Sequence, residues 1–513
     1  MTAPALVPSL IPLAAVLVSL FAIAGIATSR SPNIREGWTF GAAIIKFLLV
    51  LSLIPTVLAG QEPACHVATF APGLTLALRV DAMGLLFALV SSSLWILTSC
   101  YSIGYMRTEN EHAQTRYYCC FALALCATIG VAFSANLFTL YLFYELLSFA
   151  TWPLVTHHQD AEARRSGRKY LGYIVGASIG LALPAMVAVF GIAGTLEFTP
   201  HGILSEAVLR PGHMTAQAGG TGIALTAGMT ALLLLGFVFG FAKAGVMPFH
   251  SWLPAAMVAP TPVSALLHAV AVVKVGAFSV FRVITHVFGV DILAAFNLGN
   301  LVAAIASVTI IVASLIALSQ DGLKRRLAFS TIGQLSYILL GAALLSPKAL
   351  TGGLMHIALH AFGKITLFMC AGAIFVATGK SKISEMDGLG RAMPVTMAAF
   401  FLGALSIIGL PPCGGFISKW YILQGALDAD QIVFMVVLLG SSLLNAAYFM
   451  PIIYRAFFKE PAAAVHFHKE FYPYQGFCVA PPAITAVISV ALLIYPQPFL
   501  QLAQMAAARI SGM

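Results

Sequence analysis

The sequence has very little charge for its length. Of its 513 residues, 27 are Lys or Arg and 18 are Asp or Glu, so 9% of the chain is charged, against about 25% in an average globular domain. With 60% hydrophobic residues and a mean hydropathy of +0.94, the chain lacks the polar side chains that would cover a soluble core. These shortages exclude a soluble enzyme, a disordered chain and a nucleic-acid-binding protein. They predict a polytopic membrane protein.

Metal and redox motifs are also missing. Eight cysteines are present, but the sequence has no C-x-x-C pair, no Cys/His ligand spacing and no G-x-G-x-x-G motif. We therefore expect the cysteines to be small buried hydrophobic residues, and we expect neither a cofactor nor a metal site. The first apolar run has no basic segment before it, which predicts a retained span rather than a cleaved signal peptide.

Fourteen apolar runs are long enough to cross a bilayer. Most continue for about 20 residues or more without alternation, which predicts helices rather than barrel strands. The expected fold is an all-α polytopic membrane protein with about 14 transmembrane helices in a single membrane domain over 1–513. The runs lie at 5–28, 38–59, 80–105, 117–134, 136–156, 170–195, 223–245, 262–282, 298–319, 326–345, 353–378, 394–427, 431–454 and 478–497.

Basic residues alternate between the loops that join these runs. Loops after odd-numbered runs carry 17 of the 27 Lys and Arg, loops after even-numbered runs and the C-terminus carry 5, and 5 lie inside runs. Because cytoplasmic loops are the basic ones, we expect both termini on the non-cytoplasmic side of a bacterial-type inner (plasma) membrane. The polar stretches near 196–222 and 456–477 are too short to form a soluble domain.

Several ionisable side chains lie inside the runs, where each costs at least about 2.5–3.5 kcal/mol. Glu145 is surrounded by Leu, Phe and Tyr in LFTLYLFYELLSFATW, and no loop is near enough for its carboxylate to reach water. It is either a carboxylate that carries protons or pairs with a buried cation, or a packing carboxylate bonded to a neighbouring helix. We favour the first interpretation.

Prolines interrupt two runs close to a lysine. Pro248 follows Lys243, and Pro411 and Pro412 precede Lys419. A proline inside a span removes a backbone hydrogen bond, and helices broken at membrane depth form ion sites in transporters. A snorkelling side chain is the alternative for Lys243, although the chain stays apolar beyond it. The paired breaks indicate an internally duplicated transporter core.

Two further runs carry regularly spaced polar side chains. His268 and Lys274 are about 240° apart around an ideal helix, so they point to different sides unless the helix is distorted. His268 alone is equally consistent with a hydrogen-bonded core residue. His356, His360 and Lys364 form one stripe about 12 Å long, for which a metal site and a haem bridge are the alternatives. A hydrated proton relay suits the stripe better, because the pKa of histidine lies near 6.5.

Bases outnumber acids among these buried side chains. A static set of salt bridges would need matching acids, but Glu145 is the one mid-span acid. Burial disfavours the charged form of lysine and a neighbouring carboxylate favours it, so a lysine beside Glu145 would hold its proton while paired and release it when the pair opens. The residues therefore predict a charge-gated proton path.

Five stretches resemble the antiporter-like subunits of complex I (M, N and L types). They are similar also to the D-type subunits of Mrp cation/proton antiporters and to the large membrane subunits of group 4 hydrogenases. The resemblance covers about 75–460, and its most specific parts are SWLPAAMVAPTPVSALLHA and KRRLAFST. The stretches are LYLFYELLS, FAKAGVMPFHSWLPAAMVAPTPVSALLHAVAVVKVGAF, DGLKRRLAFSTIGQLSYI, HIALHAFGKITLFMCAG and IIGLPPCGGFISKWYIL.

The resemblance implies a fold of 14 helices with two inverted five-helix repeats and broken helices. It implies N-terminal helices over 1–114, a first repeat over 115–290, a second over 298–457, and a C-terminal loop and last helix over 458–513. It also implies that Glu145 and Lys243 form the first charged pair and that Lys419 ends the path. The remaining positions implied along a hydrated central axis are His250, His268, Lys274, Lys324, His356, His360 and Lys364.

The implied function is that of a proton-translocating subunit in a multisubunit complex related to complex I, of NADH-quinone oxidoreductase or membrane hydrogenase type. Its partners would be other membrane subunits, the lipid bilayer and protons. The alternative is the D-type subunit of a Mrp Na⁺/H⁺ antiporter without redox coupling, which also moves Na⁺. A lysine at position 419, where M-type subunits usually carry glutamate, and an end at 513 without a long lateral helix favour a Mrp or hydrogenase type. No motif supports a third class, a membrane redox enzyme with its own haem or quinone.

Overall fold

The computed structural model describes residues 5–209, 225–460, 470 and 475–512, and within them the chain is a helical bundle with one small sheet. Parts of both predicted polar stretches, 210–222 and most of 461–474, lie outside the described residues. The first elements are β1 (Ala5–Pro8), α1 (Ile11–Thr28), α2 (Pro32–Leu51), α3 (Ile54–Leu58), β2 (Gln61–Ala71), β3 (Leu74–Arg79), α4 (Ala82–Thr108), α5 (Gln114–Ala132) and α6 (Leu137–Val155). The middle elements are α7 (Ala161–Ala177), α8 (Leu183–Ala193), α9 (Ile203–Leu209), α10 (Ala227–Gly240), α11 (Trp252–Ala255), α12 (Thr261–Ala265), α13 (Val272–Arg282), α14 (Val290–Ala295) and α15 (Leu298–Ser319). The last elements are α16 (Leu323–Ala343), α17 (Pro347–Thr378), α18 (Leu389–Ala392), α19 (Pro394–Ile408), α20 (Gly415–Asp428), α21 (Ile432–Phe458), α22 (Gly476–Ile494) and α23 (Gln497–Ile510).

Eleven helical segments in the described part of the chain are long and apolar enough to cross a membrane. Three predicted runs coincide instead with the shorter apolar helices α10 and α19 and with α16, whose first turn is rich in Lys and Arg. The all-α polytopic fold class is thereby confirmed. The count of 14 spans and the inverted repeats stay predictions.

A three-stranded sheet departs from the all-helical expectation. Strand β2 pairs antiparallel with β3 and parallel with β1. The sequence LTLALR of β3 has leucine at every second position, the period of a strand. Gly73, at a φ of +76°, makes the turn between β2 and β3, a conformation that favours glycine. Strand β2 contacts α1 and α3, and β3 contacts α6.

The most buried helices form the middle of the bundle. The segment from α12 through α13 is completely buried, and so is almost all of α16 and α17. With 32 residues, α17 is about 48 Å long and exceeds the roughly 30 Å hydrocarbon core. By contrast, only about one third of the residues in the apolar parts of α1, α2 and α21 is buried. The polar side chains predicted to carry function lie mainly on the buried helices.

A charged cluster joins the start of α4 to the end of α13. Arg282, which is 2% exposed, donates hydrogen bonds to both carboxylate oxygens of Asp81, one of them at 3.0 Å. Asp81 also accepts from the Gly84 backbone N–H at 2.7 Å and so caps α4. Although burial raises it, the Arg282 guanidinium holds the pKa of Asp81 well below its usual range. Arg282 is the last residue of the predicted run at 262–282, and the charge count placed it with the loop that follows; in the structure it is buried and paired with Asp81.

Candidate functional site

The first helix break lies between α10 and α11. Helix α10 ends at Gly240, a 3₁₀ turn follows at Ala242–Ala244, and Gly245 reverses the chain at a φ of +70°. Pro248 lies in this turn after a cis peptide bond. The Trp252 indole donates to the Ala242 carbonyl at 3.0 Å. A side chain of the same segment thus bonds one of the backbone groups that the helix break leaves without a helical partner.

Lys243 lies at this break, fully buried against α6. Its Nζ donates to the Tyr144 backbone carbonyl at 2.5 Å and to Ser148 Oγ at 2.7 Å, and it lies 3.3 Å from the centre of the Tyr144 ring. A Cβ on Gly276 of α13 would lie 2.1 Å from the Ala244 nitrogen. Only glycine therefore lets α13 approach the break so closely.

Glu145 lies near Lys243 but is not bonded to it. The carboxylate is within electrostatic range of the lysine, yet no ion pair within 4 Å joins them among the described residues. Both of its oxygens are buried without a hydrogen-bond partner in that part of the chain. The resemblance implied a pair; the structure places the lysine on neutral acceptors of α6, one residue away from the acid.

Lys274 forms a direct contact with the predicted histidine stripe. Its Nζ lies 2.6 Å from His360 Nδ1, and both side chains are buried. His268 faces elsewhere on α17, with its ring 4.8 Å from that of Phe368. His268 lies within a π-helical turn, Leu266–Val270, that precedes α13. The two residues thus contact different parts of one helix.

His356 continues the polar chain toward α16 and α20. Its ring stacks on that of His360 with centres 5.5 Å apart. Its Nε2 lies 3.1 Å from Gln334 Oε1, and its Nδ1 lies 2.9 Å from Ser418 Oγ. Both ring nitrogens are therefore occupied by neutral partners, which leaves neither of them for a metal or a haem in this arrangement.

The second helix break lies between α19 and α20. Helix α19 ends at Ile408, Gly409 has a φ of +86°, and Pro411 and Pro412 form the turn, with a cis bond between them. Lys419 lies one turn into α20 and returns to the break, because its Nζ donates to the Ile408 carbonyl at 3.0 Å. This contact places a cation at the carboxyl end of α19, where the helix dipole favours it.

Asn445 of α21 joins Lys419 to the rest of the chain. With its amide oxygen facing α16 and α20, Asn445 accepts from Gln334 Nε2 at 3.0 Å and from Lys419 Nζ at 3.2 Å. Its nitrogen then donates to the Tyr448 hydroxyl at 2.6 Å. We call the sequence Lys274, His360, His356, Gln334, Asn445 and Lys419 the central polar chain.

Lys364 enters the central polar chain from the side. Its Nζ donates to Ser330 Oγ at 2.8 Å, and the Tyr448 hydroxyl donates to the same oxygen at 2.9 Å. The hydroxyl of Tyr448 in turn contacts Asn445. Lys364 and Lys419 are therefore connected through two hydroxyl groups and one amide.

The sequence did not single out four polar side chains of this network. Ser330 and Gln334 are four residues apart on α16, and Asn445 and Tyr448 are three apart on α21. This spacing places each pair on one helix face, a signal that apolar helices rarely show without reason. Their partners, however, lie on other helices and follow only from the packing.

Two cavities open beside the predicted residues His250 and Lys324. One, of about 520 Å³, is lined by Asp160, Lys169 and His250 among others. The other, of about 310 Å³, is lined by Glu111, His158 and Lys324 among others. Lys324 Nζ donates to the Ala259 carbonyl at 2.8 Å. Neither residue belongs to the central polar chain.

Lys419 lies beside a third cavity, of about 410 Å³, on the side of the bundle. Apolar side chains dominate its lining, and the exposed ones include Trp420, Leu439 and Leu443. Lys419 is 9% exposed, the most of the buried lysines. The central polar chain therefore ends next to a lateral opening rather than in closed packing.

Sequence comparisons match this chain to known membrane proteins. The family described as "NADH:quinone oxidoreductase/Mrp antiporter, TM" matches residues 134–445. NADH-quinone oxidoreductase subunit N of Desulforudis audaxviator is 32% identical over 464 residues, which cover 88% of this chain and 87% of that protein. Na⁺/H⁺ antiporter subunit A1 of Staphylococcus aureus is 30% identical over 518 residues, which cover 95% of this chain but only 61% of that longer subunit.

Two solved structures share the fold over nearly the whole chain. One is from the Mrp complex of Dietzia sp. DQ12-45-1b, with a TM-score of 0.84, 23% identity, and coverage of 98% of this chain and 97% of that one. The other is from the membrane-bound sulfane sulfur reductase, an archaeal respiratory membrane complex, with a TM-score of 0.83, 22% identity and the same coverage. At these identities the likeness concerns the fold alone.

Proposed function

Because the chain belongs to the NADH:quinone oxidoreductase/Mrp antiporter transmembrane family, we propose that it is a proton-translocating subunit of a multisubunit membrane complex related to complex I. Protons would move along the central polar chain toward Lys419. Other membrane subunits and the lipid bilayer are its proposed partners. The chain itself would be an ion translocator, and redox chemistry in the complex would belong to other subunits.

The observation that carries this proposal is the continuous contact between titratable groups deep in the bundle. Lys274 bonds His360, His360 stacks on His356, and Gln334 and Asn445 connect His356 to Lys419. None of the buried lysines of this network has a carboxylate within 4 Å in the described part of the chain. In a static network of salt bridges each buried cation would be paired with an acid. Lysines and histidines that are held by neutral partners can instead exchange protons.

Glu145 and Lys243 form a separate unit in this proposal. No direct hydrogen bond joins Lys243 to Lys274 among the described side chains. The lysine instead contacts Tyr144 and Ser148 while the carboxylate stays nearby and unbonded. Closing the gap between lysine and acid would favour the charged lysine, and opening it would favour proton release. This change would gate the path.

We further propose that the two breaks belong to two repeats, over 115–290 and 298–457. Each break places a glycine with positive φ and a proline next to a buried lysine, Lys243 in the first and Lys419 in the second. In each case the lysine donates to a backbone carbonyl of helical chain, at Tyr144 and at Ile408. This shared arrangement is what duplication predicts.

The proposed orientation places the basic loops in the cytoplasm. Contacts join these loops into one face, which we call the basic face: Arg35 bonds Gln114 at 2.6 Å, and Arg116 donates to the His157 carbonyl at 2.9 Å. Arg455 reaches Asp387 on the same face at 3.0 Å. Both termini of the chain would then lie on the outer side of a bacterial-type inner membrane.

Cysteine labelling tests this orientation. With Cys65 replaced by serine, we expect Lys348→Cys to react with a membrane-impermeant thiol reagent added outside intact cells. Arg165→Cys, on the basic face, should react only after the membrane is permeabilised. Both side chains are exposed in the structure, so accessibility does not limit either reaction. Labelling of Arg165→Cys from outside would contradict the orientation.

The alternative function is that of a subunit in a Mrp-type Na⁺/H⁺ antiporter. It is favoured by the match to an Na⁺/H⁺ antiporter subunit over 95% of this chain and by the shared fold with a Mrp complex. The central polar chain would serve both functions, because either one moves protons. The source of energy distinguishes them.

Everted membrane vesicles with and without this chain test both functions. If the chain belongs to a redox-driven complex, its deletion should abolish the part of the proton gradient that an electron donor builds through that complex. If it belongs to an antiporter, vesicles should lose their gradient on addition of NaCl only when the chain is present. A pH-sensitive dye reports both. Gradients that respond identically with and without the chain would reject both functions.

A further inference from the structure

A cluster of histidines and one glutamate lies on the basic face, outside the central polar chain. Glu111 and His112 follow the end of α4, and His157 follows the end of α6. One ligand atom from each of these residues lies within 4.8 Å of the other two. The rings of His112 and His157 are 4.8 Å apart, and Glu111 Oε2 lies 3.4 Å from His157 Nε2.

His157 is the unusual member of this cluster. Its side chain is 0% exposed, yet neither ring nitrogen has a hydrogen-bond partner among the described residues. Buried polar atoms in proteins are normally bonded, and leaving one unpaired costs about 1–3 kcal/mol. Its Nε2 faces the Glu111 carboxylate, and His112 borders the same space. The orphaned imidazole therefore indicates a ligand for this space.

The neighbouring charges favour a cation there. Glu111 brings a carboxylate to this space, and its Oε2 lies 3.4 Å from His157 Nε2 and 3.7 Å from His158 Nδ1. A carboxylate and neutral imidazoles are the forms that bind metal ions.

We propose that Glu111, His112 and His157 form a binding site for a divalent transition metal of the Zn²⁺ class. Three protein ligands with imidazole and carboxylate donors fit tetrahedral Zn²⁺, with water in the fourth position. Imidazole donors favour Zn²⁺ and Cu²⁺ over Mg²⁺ and Ca²⁺. Bond lengths of about 2.0–2.1 Å place the ligand atoms about 3.4 Å apart, so atoms that now lie within 4.8 Å of one another have to approach by about 1.4 Å at most.

The site adjoins the cavity that leads to Lys324. Glu111 lines this cavity of about 310 Å³ together with His158 and Lys324, and its carboxylate acts electrostatically on the lysine. Lys324 and Lys364 in turn act electrostatically on His268. A bound dication would neutralise Glu111 and repel protons from the cavity. Metal binding would therefore slow proton uptake from the basic face. This effect rests on the proposed function, whereas the binding of the metal does not depend on it.

Metal titration of the intact complex tests the site. After chelation of all metals, we expect one Co²⁺ per copy of this chain to bind with the visible absorption of tetrahedral cobalt, and Zn²⁺ to displace it. His157→Ala and His112→Gln should each weaken Zn²⁺ binding by at least about 100-fold, because each removes a direct ligand. His66 is an exposed histidine of β2 that bonds Thr69 and is not part of the cluster, so His66→Ala serves as the matched control and should not change the affinity.

Two outcomes would overturn the site: no stoichiometric Co²⁺ binding, or unchanged Zn²⁺ affinity in His112→Gln. If His157→Ala fails to fold, His112→Gln still tests the site, because His112 is exposed and its replacement should not disturb the fold. In vesicles, Zn²⁺ should inhibit proton transport by the parent chain but not by His112→Gln. Binding without inhibition would overturn the link to the Lys324 cavity. Absence of any transport would count against the proposed function and leave the titration to decide the site.

Discussion

Replacing Lys243 with methionine is expected to lower proton transport by at least about 100-fold, the lower limit for loss of a proton-transferring group. Lys243 is fully buried and bonds only the Tyr144 carbonyl and Ser148 among described acceptors, so methionine fits its space without breaking a salt bridge. The chain should therefore assemble normally while the gate cannot hold a proton. Transport in vesicles, normalised to assembled complex, measures the effect.

The chain offers a matched control for this loss. Lys46 of α2 is also fully buried, and its Nζ donates to the Leu125 carbonyl at 3.2 Å, away from both helix breaks. Lys46→Met removes a buried lysine of the same kind and should leave transport within about twofold of the parent. Equal losses in Lys46→Met and Lys243→Met would mean that burial, not gating, explains the effect.

Glu145→Gln tests the other half of the gate. The amide keeps the shape of the side chain but cannot attract the lysine, so we expect a loss of transport comparable to that in Lys243→Met. Surface ion pairs contribute only about 0–1 kcal/mol and tolerate such a change. Full transport in Glu145→Gln at normal assembly would reduce the carboxylate to a packing group of α6.

Lys419→Arg is expected to abolish transport as thoroughly as Lys419→Ala. The proposed terminal residue must release its proton toward the lateral cavity of about 410 Å³, and arginine does not deprotonate in proteins. The structure also supplies the competing role, because Lys419 donates to the Ile408 carbonyl at the end of α19. A residue that only stabilises this helix end needs a positive charge, which arginine provides.

The two roles therefore predict opposite results for one substitution. Transport normalised to assembled protein decides between them. Lys348→Arg serves as the control, because it makes the same replacement at an exposed lysine that forms an ion pair with Asp428. If Lys419→Arg transports nearly as well as the parent chain while Lys419→Ala does not, Lys419 is a helix-end cation and lies outside the proton path. Loss in both variants supports release from Lys419.

Features that depend on local composition were readable from the sequence. The apolar runs predicted the membrane-spanning helices because lipid cannot bond backbone groups, so each span must satisfy its own hydrogen bonds. Pro248 and Pro411 lie in turns between helices for the same local reason, since proline lacks the N–H that a helix requires. The specific stretches around Lys243 and Lys324 also indicated the family to which the chain belongs.

The partners of the polar side chains were decided by the tertiary structure. Lys243 bonds the backbone carbonyl of Tyr144 rather than the neighbouring Glu145. Arg282 pairs with Asp81, 201 residues earlier, and His157 meets His112 across two loops. A helix period reports which side chains share a face, but which residues of another helix meet that face depends on how the helices pack. The alternation of β3 was visible in the sequence, yet its pairing with β2 likewise required the folded chain. Hydropathy and proline act within one segment, whereas a hydrogen bond between segments exists only once both have been placed.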